Sequence, residues 1–128
     1  MYLIKKNYYI FIITNQSGIG KKIFTLSKFV KLHNQLKDIL IKKKIYINDV
    51  KYSPYHIDAK IKKFKKKSGF RKPGNLMVKE IFKNWDIIIN KSFMIGDKLS
   101  DRICAKKSSL YFEYAKDDFY LQVKSLVK

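Results

Sequence analysis

Thiols are almost absent from this chain. Cys104 is its only cysteine, which excludes an internal disulfide and a cysteine-rich zinc site and suits a reducing cytoplasm. Carboxylates are scarce as well: ten Asp and Glu stand against 29 Lys and Arg, for a net charge of +19 in 128 residues. The earliest acidic residue is Asp38, and no Asp-x-Asp occurs anywhere. Arginine is limited to Arg71 and Arg102, so the excess charge is lysine, accompanied by much Ile, Asn, Tyr and Phe. That mixture has two readings, an A/T-biased composition with a solvated lysine surface or a footprint for a polyanion. No apolar run approaches a bilayer-spanning length. The opening "MYLIKKNYYIFII" carries lysines where a signal peptide needs an uninterrupted apolar core. These absences lead us to expect a soluble, cytoplasmic protein, with residues 1–128 forming one domain.

The remaining pattern alternates strands and helices. Tyr8 to Ile13 is short, β-branched and aromatic, and predicts a strand buried on both faces. Leu26, Phe29, His33, Leu36 and Leu40 recur at helical spacing between Thr25 and Ile41, with Thr25 or Ser27 as N-cap and His33 as a packing residue. Ile45 to Tyr52 predicts a second strand, followed by a long aperiodic connection containing the lysine cluster Lys60 to Lys67. Helices are then expected around Leu76 to Trp85, Leu99 to Lys106, and from Asp117 and Asp118 onward, with strands at Ser92 to Ile95 and Ser109 to Tyr114. The alternation implies an α/β fold with a parallel sheet covered by helices on both faces.

Three polar stretches interrupt this pattern: "TNQSG" from Thr14 to Gly18, "RKPG" from Arg71 to Gly74, and "GDKLSD" from Gly96 to Asp101. Together they offer a hydroxyl, fixed cations and a metal-type carboxylate, the set that phosphoryl transfer requires. Gly96 is expected to let the backbone turn sharply out of its strand.

The ordered set "TNQSGIG", "RKPG" and "MIGDKLSD" resembles the second, third and fourth motifs of the haloacid dehalogenase (HAD) superfamily. "TNQSG" with "RKP" narrows the resemblance to the branch containing D-glycero-D-manno-heptose 1,7-bisphosphate phosphatase and histidinol phosphatase. It covers about Tyr8 to Tyr114 and implies a Rossmann-like sheet and a Mg²⁺-dependent sugar-phosphate phosphatase working through a phospho-aspartyl enzyme. On this resemblance Thr14 bonds the transferring phosphoryl group, and Asn15, Gln16 and Ser17 line the substrate side. Lys72 neutralises phosphoryl charge, Arg71 grips a distal substrate group, Asp97 ligates Mg²⁺ with Lys98 alongside, and Asp101 braces the metal site.

Two features depart from that branch. Its bacterial heptose-bisphosphate phosphatases commonly hold a structural zinc in the loop before "RKP", with a Cys-x-His and a Cys-x-Cys pair, whereas the matching positions here are Ser53, Tyr55, Ser68 and Phe70. We therefore expect a zinc-free loop, ordered by Phe64 and Phe70. The branch's first motif, Asp-x-Asp, supplies the nucleophile and the general acid/base, and it is missing. A coding region that begins inside the family's domain is the simplest explanation, and it leaves an inert fragment as an alternative. Loss of that central strand would leave Tyr8 to Ile13 and Ser92 to Ile95 without a shared neighbour and open to self-association. A basic nucleic-acid-binding module is the other alternative, though no known nucleic-acid reader is matched.

Overall fold

The computed structural model describes residues 7–127; residues 1–6 of the lysine-bearing opening lie outside it. The chain divides into two compact units, between Ser68 and Gly69.

The first unit contains β1 (Phe11–Asn15), a one-turn helix α1 (Ser17–Gly20), the long helix α2 (Leu26–Lys42) and β2 (Asp49–Ser53). β1 and β2 pair in parallel, with Phe11 opposite Asp49 and Asn15 opposite Ser53. Parallel neighbours need a crossover, and α2 provides it. Thr25 is its N-cap, its hydroxyl accepting the Lys28 backbone N–H at 3.1 Å. Phe29 is the buried anchor, with its ring 4.8 Å from that of Tyr52 and 4.3 Å from His33, which makes His33 a packing residue. Leu36 is exposed, and Lys37 is half-buried in the position the expected stripe gave it. Every residue of β1 is also only half-buried, in contrast to the two-sided burial its composition suggests. A strand in a two-stranded ladder with one covering helix has fewer neighbours than one central in a wide sheet.

In the second unit, α3 (Leu76–Asn84) buries Met77, Val78 and Ile81. β3 (Phe93–Gly96) and β4 (Tyr111–Tyr114) pair in parallel, connected by α4 (Leu99–Lys107), which packs on both strands. Asp118 caps α5 (Phe119–Leu126) by accepting the Leu121 N–H at 3.0 Å. The buried Gln122 amide fastens α5 to β4, donating to Glu113 Oε1 at 2.9 Å and to the Tyr114 carbonyl at 2.8 Å. Both units are thus parallel βαβ arrangements whose carboxyl ends carry "TNQSG" and "GDKLSD", the place where open α/β folds bind ligands. No helix among the described residues is long and apolar enough to cross a membrane.

Candidate active site

In the first unit the polar turn begins as β1 ends. Thr14 is the penultimate residue of the strand, and its Oγ1 accepts from Gln16 Nε2 at 3.0 Å. This contact occupies an acceptor lone pair of the hydroxyl and leaves its O–H available to donate. The Gln16 backbone N–H donates to the Ser53 carbonyl at 2.7 Å, tying the turn to the end of β2. Ser17 opens α1, and Asn15 sits opposite Ser53 in the ladder. The structure therefore gathers Thr14, Asn15, Gln16 and Ser17 at one strand end. Ser53, missed as a contributor to this turn, is fully buried, and its hydroxyl has no hydrogen-bond partner.

The second unit gathers Lys72, Asp97, Lys98 and Asp101. Asp101 is their hub. Its Oδ1 accepts from Lys72 Nζ at 2.5 Å, while its Oδ2 accepts the backbone N–H groups of Asp97 and Lys98 at 3.1 Å each. Both side chains of the ion pair are largely buried, 11% exposed for Lys72 and 5% for Asp101. Burial works against ionisation of Asp101, but the Lys72 ammonium and the two backbone donors outweigh it and hold the carboxyl below its ordinary value.

Gly96 owes its place here to close approach. An added Cβ would lie 2.5 Å from Asp101 Cβ and 2.5 Å from Oδ2, and no glycine in the described chain has positive φ. The expected sharp turn is therefore not the reason for this glycine; the Asp101 side chain lying over it is.

Asp97 differs from Asp101 in every respect that matters chemically. It is exposed, and among the described residues no hydrogen bond or ion pair engages its carboxylate. A free carboxylate beside a buried ion pair is the kind of ligand Mg²⁺ takes, since this ion is bound through one or two carboxylates plus substrate phosphates. Asp97 could serve that ion as a single ligand; among the described residues no group of three metal-type side chains occurs.

Arg71 stands at the head of a tight loop, its carbonyl accepting the Gly74 N–H at 2.8 Å. One guanidinium nitrogen, Nη1, is buried without a hydrogen-bond partner, which is costly for a charged donor unless an anion meets it. Cys104, fully buried on α4, feels the charges of both Lys72 and Asp101, and burial pushes its thiol up.

Comparison with known proteins adds a second line of evidence. The sequence model of the polynucleotide kinase 3 phosphatase family matches residues 1–124. The chain is 33% identical over 121 residues to the D-glycero-beta-D-manno-heptose-1,7-bisphosphate 7-phosphatase of Rhodopseudomonas palustris, covering 94% of this chain and 67% of that protein. It is 35% identical over 99 residues to the enzyme of the same name from Photorhabdus laumondii, covering 77% and 53%. The chain thus spans about half to two thirds of the length of these relatives. Among solved structures, a HAD-like phosphatase from Mesorhizobium loti superposes with a TM-score of 0.84 at 20% identity, covering 98% of this chain and 70% of that one. The D,D-heptose 1,7-bisphosphate phosphatase from B. bronchiseptica, complexed with magnesium and phosphate, gives 0.73 at 19% identity, with 87% and 58% covered. These likenesses establish the fold as that of the HAD-like phosphatases.

Proposed function

The chain belongs to the polynucleotide kinase 3 phosphatase family and has the HAD fold, and on that premise we propose that it carries the phosphate- and metal-binding part of a sugar-phosphate phosphomonoesterase. The substrate best supported is D-glycero-D-manno-heptose 1,7-bisphosphate, which the names of the relatives point to. The observation that carries this reading is the Asp101 carboxylate, which joins Lys72 of "RKPG" to the backbone of Asp97 in "GDKLSD".

Each residue then has a task. The Thr14 hydroxyl donates to a phosphoryl oxygen, and Asn15, Gln16 and Ser17 line the approach. Lys72, held in place by Asp101, offsets phosphoryl charge as it redistributes, which is where such catalysts gain most. Arg71 presents its unpartnered Nη1 to a second anionic group of the substrate. Asp97 would hold Mg²⁺, with Lys98 alongside, and that ion supplies charge neutralisation when bound. The aspartyl nucleophile of the reaction is not among these 128 residues, which contain no Asp-x-Asp.

The aromatic rings within the lysine cluster do not favour a nucleic-acid module. The ammonium groups of Lys63 and Lys66 already lie over Phe64 and Tyr55, at 4.9 and 5.0 Å from the ring centroids. Rings covered by the protein's own cations are poor stacking platforms for bases.

Titration of inorganic phosphate into residues 1–128, with and without Mg²⁺, tests the reading. The expected result is saturable, Mg²⁺-dependent binding that Lys72→Met abolishes. Binding indifferent to both Mg²⁺ and Lys72 would overturn it.

A further inference from the structure

The loop after β2 holds the Gln16–Gly20 turn at both of its ends. At the near end, the Ser53 carbonyl accepts the Gln16 N–H at 2.7 Å. At the far end, the Gly20 carbonyl accepts two backbone N–H groups, from Lys60 at 2.7 Å and Ile61 at 2.9 Å. The packing there leaves no slack: a Cβ on Gly20 would lie 2.5 Å from the Pro54 carbonyl oxygen, 3.0 Å from Ala59 Cβ and 3.2 Å from Phe64 Cβ. Ala59 and Ile19, on the two sides of this contact, are 3% and 1% exposed.

The loop itself is closed by Phe64. Its carbonyl accepts the His56 N–H at 3.0 Å, and its own N–H donates to Ile61 at 3.0 Å. Its ring meets Tyr55 edge-on, with centroids 5.6 Å apart and planes at 81°, while Lys66 covers the Tyr55 ring. Edge-to-face pairing of this kind stabilises the two rings beyond the area they bury.

The zinc ion that the resemblance to the heptose-bisphosphate branch implies for this loop does not fit these residues. Ser53 and Tyr55 offer neither thiolate nor imidazole, and Tyr55 is committed to the ring pair. The nearby imidazole of His56 is engaged as well, its Nδ1 accepting the Asp58 N–H at 3.0 Å.

We propose that residues 53–66 form a metal-free clamp that fixes the geometry of the Gln16–Gly20 turn, with the Tyr55–Phe64 pair as its closure. Phe64 and Gly20 are then positioning residues for the turn. Their consequence for phosphate rests on the function proposed above, whereas the clamp itself does not.

Amide hydrogen exchange on residues 1–128 separates the two. Phe64→Ala is expected to speed exchange of the Gln16, Lys60 and Ile61 N–H groups by roughly tenfold or more, while amides of the β3–β4 ladder keep their rates. Phe64→Tyr, which keeps the ring, should stay near the parent, and EDTA should change nothing. Gly20→Ala gives the same readout from the other side of the contact should Phe64→Ala not fold. Unchanged exchange of the three amides in a folded variant, or their acceleration by EDTA together with one bound zinc per chain, would overturn the clamp. Inorganic phosphate with Mg²⁺ should shift the parent's Thr14–Ser17 resonances and do so more weakly in Phe64→Ala. No shift in the parent would count against the phosphatase reading, and the exchange rates would still decide the clamp.

Discussion

Lys72 and Asp101 are joined by a 2.5 Å ion pair with both side chains largely buried. The remaining oxygen of Asp101 is spent on the backbone N–H groups of Asp97 and Lys98, so one carboxylate fixes the position of a cation and the course of a loop. Removing one partner of such a pair leaves an uncompensated buried charge. Asp101→Asn is therefore expected to destabilise the second unit by about 3 kcal/mol, read as a lower urea midpoint. The pH dependence has a definite sign. Because the folded Asp101 carboxyl lies below its ordinary value of 3.8, the pair's contribution is complete above that value and is lost as pH falls through the lower folded value. The variant should lack this part of the acid transition; an unchanged acid limb would contradict the assignment.

Gly96→Ala should act through the same carboxylate. The new methyl would overlap Asp101 Cβ and Oδ2, so a cost of roughly 2 kcal/mol is expected. Combining it with Asp101→Asn should be clearly less than additive, because both changes damage one arrangement. A double-mutant cycle giving full additivity would show that Gly96 is needed for another reason.

Asp97→Asn is the contrasting case. Its exposed carboxylate is engaged by no described residue, so stability should stay within about 0.5 kcal/mol. Mg²⁺ affinity should fall at least roughly tenfold, since changes even to groups behind a metal ligand commonly cost that much. Calorimetric Mg²⁺ titration in the presence of phosphate checks the affinity, and a urea unfolding curve of the same protein checks the stability.

Much of this was legible in the residues, and what was not had physical causes. The strand–helix alternation appeared because β-branched runs and 3.6-residue periods are local signals, and Thr25 and Asp118 could be picked as helix starts from their chemistry. Strand limits were less visible: β1 runs from Phe11 to Asn15, two residues past the apolar block, because ladder pairing with Asp49–Ser53 continues through Thr14 and Asn15. The three polar stretches read in the sequence as one set; within the units, Thr14 to Ser17 gather at the end of β1, and Lys72, Asp97 and Lys98 gather around Asp101. Asp101's grip on Lys72 was invisible, because a contact 29 residues apart leaves no trace in spacing. The role of Ser53 was equally hidden, since its backbone carbonyl, common to every residue type, holds Gln16.

Arg71 offers a test of substrate choice. With one buried guanidinium nitrogen unpartnered, Arg71→Ala in an enzyme form carrying the nucleophile should weaken use of a sugar bisphosphate far more than of a monophosphate. The ratio of kcat/KM values for the two substrates is the measurement, and an unchanged ratio would remove Arg71 from the substrate site.

The central proposal is that these residues hold and neutralise a phosphoryl group, while an Asp-x-Asp strand supplies the attacking carboxylate. Its most direct test measures Mg²⁺-dependent phosphate release from D-glycero-D-manno-heptose 1,7-bisphosphate by two proteins: residues 1–128, and the same residues preceded by a strand bearing Asp-x-Asp. The account predicts turnover by the extended form alone, lost again on Lys72→Met. Comparable turnover by residues 1–128 would contradict it.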